Sequence, residues 1–179
     1  MTRKRNQSTL AALGGICAAL SVVLMLVSSI IPLATYIAPM LAGMALLPMK
    51  EEMGSKSALL SYLACSILCV FLVPEKECVM MFIFLLGWYP IAKDYLDRIK
   101  SKLLRFLTKL AVFNISTFLG YYLLIKLLSM EYILEEFGGA VLFIVTVITG
   151  NIAFIVYDIS LVLLKKFYYL RVRKLFGIR

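Results

Sequence analysis

The side chains able to do chemistry in this chain are few, and most lie inside apolar runs. Asn114 is followed by Ser116 and Thr117. Thr146 and Thr149 precede Asn151, and Asp158 follows it seven residues on, so Asn151 and Asp158 fall on nearly one helical face. A polar group in an apolar span is costly and demands an account. Two accounts stand. The amides are hydrogen-bond links between helices and Asp158 pairs with Lys93 or Lys109, or these groups line a ligand cup walled by Trp88, Tyr121 and Tyr122. Tyr36 and Thr35, in an uncharged stretch after the first apolar run, suit a lid. The chain has no His, which excludes HExxH metal sites, Ser-His-Asp and Cys-His nucleophiles, and His-based metal capture. Cys17, Cys65, Cys69 and Cys78 include no CxxC pair and read as small core residues. Asp158 is the one clear intramembrane acid, so a paired-aspartate protease fails. No glycine-rich phosphate loop is present, so ATP hydrolysis would fall to other chains.

The elements that must position these groups are membrane helices. The chain is 63% apolar and 16% charged over 179 residues, with a mean hydropathy of +0.96. That leaves too little polar surface for a soluble globule, whose apolar share is about 45–50%. Six spans of ~20 residues need ~120 apolar positions. The predicted class is all-α: a single integral membrane domain over 1–179 with spans at about 10–31, 33–49, 58–73, 78–92, 107–130 and 139–164. Spans two to four are short for a crossing, so they are extended by flanking residues or sit partly inside the bundle. With both termini in the cytoplasm, every Lys and Arg of the 19 except Lys76 and Lys126 falls on the inner side, as the positive-inside rule requires. The +9 charge therefore reads as orientation and contact with anionic lipid. No nucleic-acid-binding motif accompanies it, so nucleic acid is not an expected partner.

Three surface patterns accompany the spans. Between spans four and five, Leu96, Ile99, Leu103, Phe106 and Leu110 recur at helical spacing, with Arg98, Lys102, Arg105 and Lys109 on another face. This predicts a basic amphipathic cytoplasmic segment over 94–110. The outer segments carry Glu75, Glu77, Glu131, Glu135 and Glu136, which read as a solvated rim or as a field attracting a cationic solute. On the first span Ala11, Gly15 and Ala19 form a small-residue stripe beside Gly14 and Ala18, and Ala38 and Ala42 repeat it on the second. Such spacing lets another helix approach closely, within the bundle or from a partner.

Together these features resemble the substrate-binding membrane subunit (S component) of the energy-coupling factor transporters, prokaryotic importers of vitamins and micronutrients. The match covers nearly the whole chain: its length, basic charge, six spans, inner termini and short middle helices. The family's Ala-xxx-Ala on the first helix is met by Ala11, Gly15 and Ala19, with Gly departing from the pattern but keeping the small size. Gly150-Asn151 followed by Asp158 is similar to the polar sixth helix of several members. The resemblance implies a non-catalytic transport subunit of the plasma membrane with no cofactor or metal of its own. It would capture a small-molecule solute near the extracellular side and dock its first-helix stripe on a membrane coupling subunit that works with two ATPases. Polarity and depth nominate Tyr36, Trp88, Asn114, Tyr121, Thr146 and Asn151 for substrate binding. A non-catalytic membrane scaffold is the alternative. A membrane enzyme would need a Ser-Lys dyad or the Lys93-Asp94-Asp97-Arg98 cluster.

Overall fold

A computed structural model describes residues 7–31, 34–128 and 140–172. Among them every regular element is helical, and four helical stretches are long and apolar enough to cross a membrane: Ser55–Leu72, Lys76–Leu96, Lys102–Lys126 and Ile144–Arg171. The chain divides into two compact units, Met1–Asp94 and Tyr95–Arg179.

The N-terminal unit opens with α1 (Gln7–Val27), about 31 Å long at 1.5 Å per residue. Leu13, Cys17, Ser21 and Met25 recur every fourth residue and are buried, whereas Ile16, Leu20 and Val23 face outward. The predicted second span is not one helix. It comprises α2 (Ala34–Ala45) and α3 (Leu47–Met53), with a break at Leu46. Pro48 sits in the first turn of α3. It has no N–H to donate and its ring clashes with the preceding turn, so a helix arriving from α2 must stop and restart. Gly54, at φ +86°, then turns the chain into α4 (Ser55–Leu72), a conformation that costs glycine little. The hydroxyl of Ser21 lies 2.8 Å from the Ala42 carbonyl. The small stripe at Ala38 and Ala42, both buried, thus serves packing within this unit.

The predicted fourth span, 78–92, is longer than its apolar run. It comprises α5 (Lys76–Met81), a π-helical stretch Phe82–Leu86 and α6 (Tyr89–Leu96). Gly87-Trp88-Tyr89-Pro90 reads as a terminator, yet the helix resumes beyond it. The wide π turn, closed by Gly87 N–H to the Phe82 carbonyl at 2.8 Å, places Pro90 in the first turn of α6, where a helix does not need its N–H. Side chains take up loosened carbonyls: the Trp88 indole N–H donates to Phe84 O at 2.6 Å and the Tyr62 hydroxyl to Ile83 O.

In the C-terminal unit, the Ser101 hydroxyl accepts the Leu104 N–H at 3.4 Å and caps α7 (Lys102–Leu128). The last helix, α8 (Ala140–Phe167), continues as a π turn over Tyr168–Val172. The two helices are antiparallel, because contacts pair rising positions on α7 with falling ones on α8: Lys109 with Asp158, Phe113 with Phe154 and Asn114 with Asn151. The amphipathic segment expected over 94–110 is not one helix. α6 ends at Leu96, a turn follows, and Ser101 starts α7. Its basic face is also incomplete, since Lys109 is buried.

Gly87 leaves no room for a side chain. A Cβ there would stand 2.7 Å from Tyr62 Cε2 and 2.8 Å from the Phe82 carbonyl, whereas one at Gly15 would meet nothing within 4 Å. Gly87→Ala is expected to destabilise the purified protein by about 1–3 kcal/mol through overpacking, and Gly15→Ala to leave it unchanged, as read by thermal unfolding in detergent. Equal midpoints for the two variants would refute the packing of Tyr62 on the π turn.

Candidate functional site

The polar side chains singled out in the apolar runs fall in both units. In the N-terminal unit, Tyr36 stands exposed near the start of α2, and its hydroxyl donates to Glu77 Oε1 at 3.1 Å. Trp88 is partly buried against the main core cluster, and its N–H is taken by Phe84 O. Between α1 and α2 lies a groove of about 260 Å³ lined by Leu24, Val27, Ile31, Ile37 and Leu41. Its lining is wholly apolar, and neither Tyr36 nor Trp88 contributes to it.

In the C-terminal unit the structure brings Asn114 and Asn151 into direct contact. The Asn114 amide donates to Asn151 Oδ1 at 2.9 Å and the Asn151 amide returns a bond to Asn114 Oδ1 at 3.2 Å. Each amide also donates to its own helix, Asn114 to Leu110 O and Asn151 to Val147 O, both at 2.8 Å. A carboxamide has two N–H donors, so both are spent on each side and acceptor capacity on the Oδ1 atoms is what stays open. Phe113 stacks on Phe154 beside this pair, centroids 4.7 Å apart. Tyr121 lies two turns along α7, half-buried, and Thr146 lies on the part of α8 before Asn151, exposed.

Asp158 pairs with Lys109, one of the two lysines the sequence offered. Lys109 Nζ lies 2.9 Å from Asp158 Oδ2 and 2.6 Å from Asp97 Oδ1. Asp97 was not legible as a member, because only the turn after α6 brings it back onto α7. That turn is held by Arg105, whose guanidinium donates to the Asp97 carbonyl at 3.3 Å. A similar clamp sits in the N-terminal unit, where the buried Lys50 reaches Asp94 at 2.8 Å and the Pro90 carbonyl at 2.9 Å, tying α3 to α6. Its warning sign in the sequence was a lysine between two apolar helices with an Asp four residues after a proline.

Ala11, Gly15 and Ala19 all face outward, while Gly14 and Ala18 on the neighbouring face turn inward. A Cβ on Gly14 would meet the Met49 side chain at 3.2 Å, and the Ala18 carbonyl accepts the Cys65 thiol at 3.7 Å. Glu75 and Glu77 are partly buried at the start of α5, and Glu131, Glu135 and Glu136 lie outside the described residues. Among the described residues, no three His, Cys, Asp or Glu side chains group closely enough to hold a metal ion.

Lys109→Met would remove the ammonium that joins Asp97 and Asp158. Because Asp97 and Asp158 are 36% and 21% exposed, the cost is expected at about 2–3 kcal/mol, below the 3–5 of a fully buried pair. Asp97→Asn, which leaves Lys109 its Asp158 partner, is expected to cost less. Thermal unfolding of both variants in detergent measures this order, and a milder loss for Lys109→Met would contradict the cluster.

Compared with known family models, curated proteins and solved structures, the chain matches none of them.

Proposed function

We propose that this chain is the substrate-capturing subunit of an ATP-driven micronutrient importer in a prokaryotic plasma membrane, similar to the S components of energy-coupling factor transporters. The observation that carries this reading is the outward stripe of Ala11, Gly15 and Ala19 on α1. The chain's own packing uses the adjacent Gly14 and Ala18 instead, and the space over Gly15 is open. A helix from a coupling subunit can therefore approach the α1 backbone closely, which in lipid is a main source of helix association. In this reading the chain crosses the membrane six times with both termini in the cytoplasm. α1, α4, α5 with α6, α7 and α8 each make one crossing, and α2 with α3 makes the sixth as a broken helix. The positive-inside distribution supports that topology.

The solute would be captured toward the extracellular side; the groups nominated for it are Tyr36 and Trp88 in the N-terminal unit and, separately, Asn114, Tyr121, Thr146 and Asn151 in the C-terminal unit. Amide and hydroxyl groups would fix the polar edge of a flat, neutral ring and the aromatics would stack on it. The chain would transform nothing; two partner ATPases would supply the energy through the coupling subunit. A second reading, a non-catalytic membrane scaffold, is favoured by the Asn114–Asn151 pair, since amides that saturate each other's donors act as a link between helices.

Tagged protein purified from its native host in mild detergent separates the two. The importer reading expects an integral coupling protein and two ATPases to co-purify, and Gly15→Leu to lose them while unfolding at the wild-type temperature. Intact protein without ATPases would overturn it in favour of the scaffold. Asn151→Leu adds an independent measurement: the importer reading expects loss of solute binding beyond the roughly 0.6–2 kcal/mol of stability that one interhelical hydrogen bond contributes, and the scaffold reading expects the stability change alone.

A further inference from the structure

The turn that leads into α7 carries more uncompensated positive charge than its sequence suggests. Residues 93–102 read KDYLDRIKSK, in which acids and bases partly offset each other. The fold separates them. Asp94 is taken by the buried Lys50 at 2.8 Å, and Asp97 by the buried Lys109 at 2.6 Å. Arg98, Lys100 and Lys102 are exposed and Arg105 is half-buried, and among the described residues none of the four pairs with a carboxylate. Arg105 donates one N–H to the Asp97 carbonyl at 3.3 Å, which lays its guanidinium beside the residue next to Arg98 and leaves the other donors of the fork open. The Arg98 guanidinium carbon lies 5.0 Å from the centroid of the Tyr95 ring, a contact that orients the charge without cancelling it. Lys102 precedes Arg105 by three residues on α7, so the two are neighbours on one face. Leu103, Leu104, Phe106 and Leu107 beside them are exposed apolar side chains.

We propose that Arg98, Lys102 and Arg105 bind the headgroup phosphate of an anionic phospholipid whose acyl chains lie along the exposed leucines and Phe106 of α7. The stretch Lys102–Lys126 is long and apolar enough to cross a membrane. At 1.5 Å per residue it spans ~37 Å against a hydrocarbon core of ~30 Å, which leaves its basic end among the headgroups. A guanidinium fork offers a phosphate two parallel N–H bonds, and Lys102 adds a point charge. An acidic protein surface would answer the charge alone. A lipid answers the charge and the apolar side chains together. The contact is also narrower than a diffuse basic face, because two guanidiniums and one ammonium flank a single turn. Lys109, expected on that face, instead turns inward and removes the Asp97 carboxylate from it. The site stands whether or not the chain is an importer subunit.

The test titrates the full-length protein in detergent with phosphatidylglycerol and, separately, with phosphatidylcholine, and counts bound lipid by native mass spectrometry. One phosphatidylglycerol per chain is expected to be held in preference to phosphatidylcholine. Arg98→Gln and Lys102→Gln are each expected to lower its affinity about fivefold, the loss of one basic contact at a membrane surface. Lys56→Gln, at an exposed base at the start of α4, is expected to leave it unchanged. Neither the Arg98 nor the Lys102 side chain is hydrogen-bonded among the described residues, so these two variants decide the matter if Arg105→Gln, which frees the Asp97 carbonyl, fails to fold. No preference for phosphatidylglycerol, equal weakening by Lys56→Gln, or affinity indifferent to both Arg98→Gln and Lys102→Gln would each overturn the site. Displacement of the lipid by an equal concentration of inorganic phosphate would overturn it in favour of the free ion. Loss of a co-purifying protein from these variants with the lipid retained would overturn it in favour of a protein partner.

Discussion

Polar groups carried into apolar helices must find their partners inside the protein, because lipid offers none. That constraint orders most of what is seen. Hydroxyls turn back onto their own helix four residues earlier: Ser66 to Tyr62 O, Thr108 to Leu104 O and Ser160 to Val156 O, each at 2.8 Å. Groups with more donors than one local bond can satisfy also reach across to another helix. Asn114 and Asn151 close a reciprocal pair, and Lys109 gathers Asp97 and Asp158. These cross-links set the register of α7 against α8. Lys109, Phe113 and Asn114 on one helix meet Asp158, Phe154 and Asn151 on the other as a ladder of charge, ring and amide.

The same constraint governs the irregular backbone. The Ser21 hydroxyl takes the Ala42 carbonyl just ahead of the break at Leu46, and the π turn at Phe82–Leu86 and the start of α6 have donors of their own. Trp88 and Tyr62 serve the π turn, and the Lys50 ammonium serves Pro90 O while neutralising Asp94. Such interruptions are tolerated in an apolar helical unit where protein surrounds them. In this chain they are concentrated in the N-terminal unit, which also carries the outward stripe of α1. The C-terminal unit instead presents two long helices of 27 and 28 residues, joined by paired polar groups rather than by a buried core of small residues.

Function bears directly on how Asn114 and Asn151 are spent. A ligand entering beside them meets open oxygen acceptors rather than amide donors unless the pair separates. A solute recognised there would have to donate hydrogen bonds or break the link between α7 and α8. Trp88 is similarly committed through its N–H, so its contribution to a site would be its ring. Tyr36, exposed and joined to Glu77, keeps its aromatic face accessible near the start of α2.

Composition and periodicity were enough to determine a helical chain with apolar runs of membrane length, and the placement of Lys and Arg at their ends. They also marked Asn151 and Asp158 as one face of α8 and offered Lys93 or Lys109 as a partner for Asp158. These are properties of a single helix and its spacing, which a linear pattern records. Tertiary structure alone decided which of two adjacent small-residue faces on α1 turned inward, since Ala11-Gly15-Ala19 and Gly14-Ala18 are equally small and only the position of Met49 and Cys65 distinguishes them. It alone brought Asp97 to Lys109 and Asp94 to Lys50, because those contacts join positions far apart in the chain. Pro90 shows the limit most plainly: a proline after Gly-Trp-Tyr reads as an end, and only the neighbouring Tyr62 and the wide turn let the helix continue.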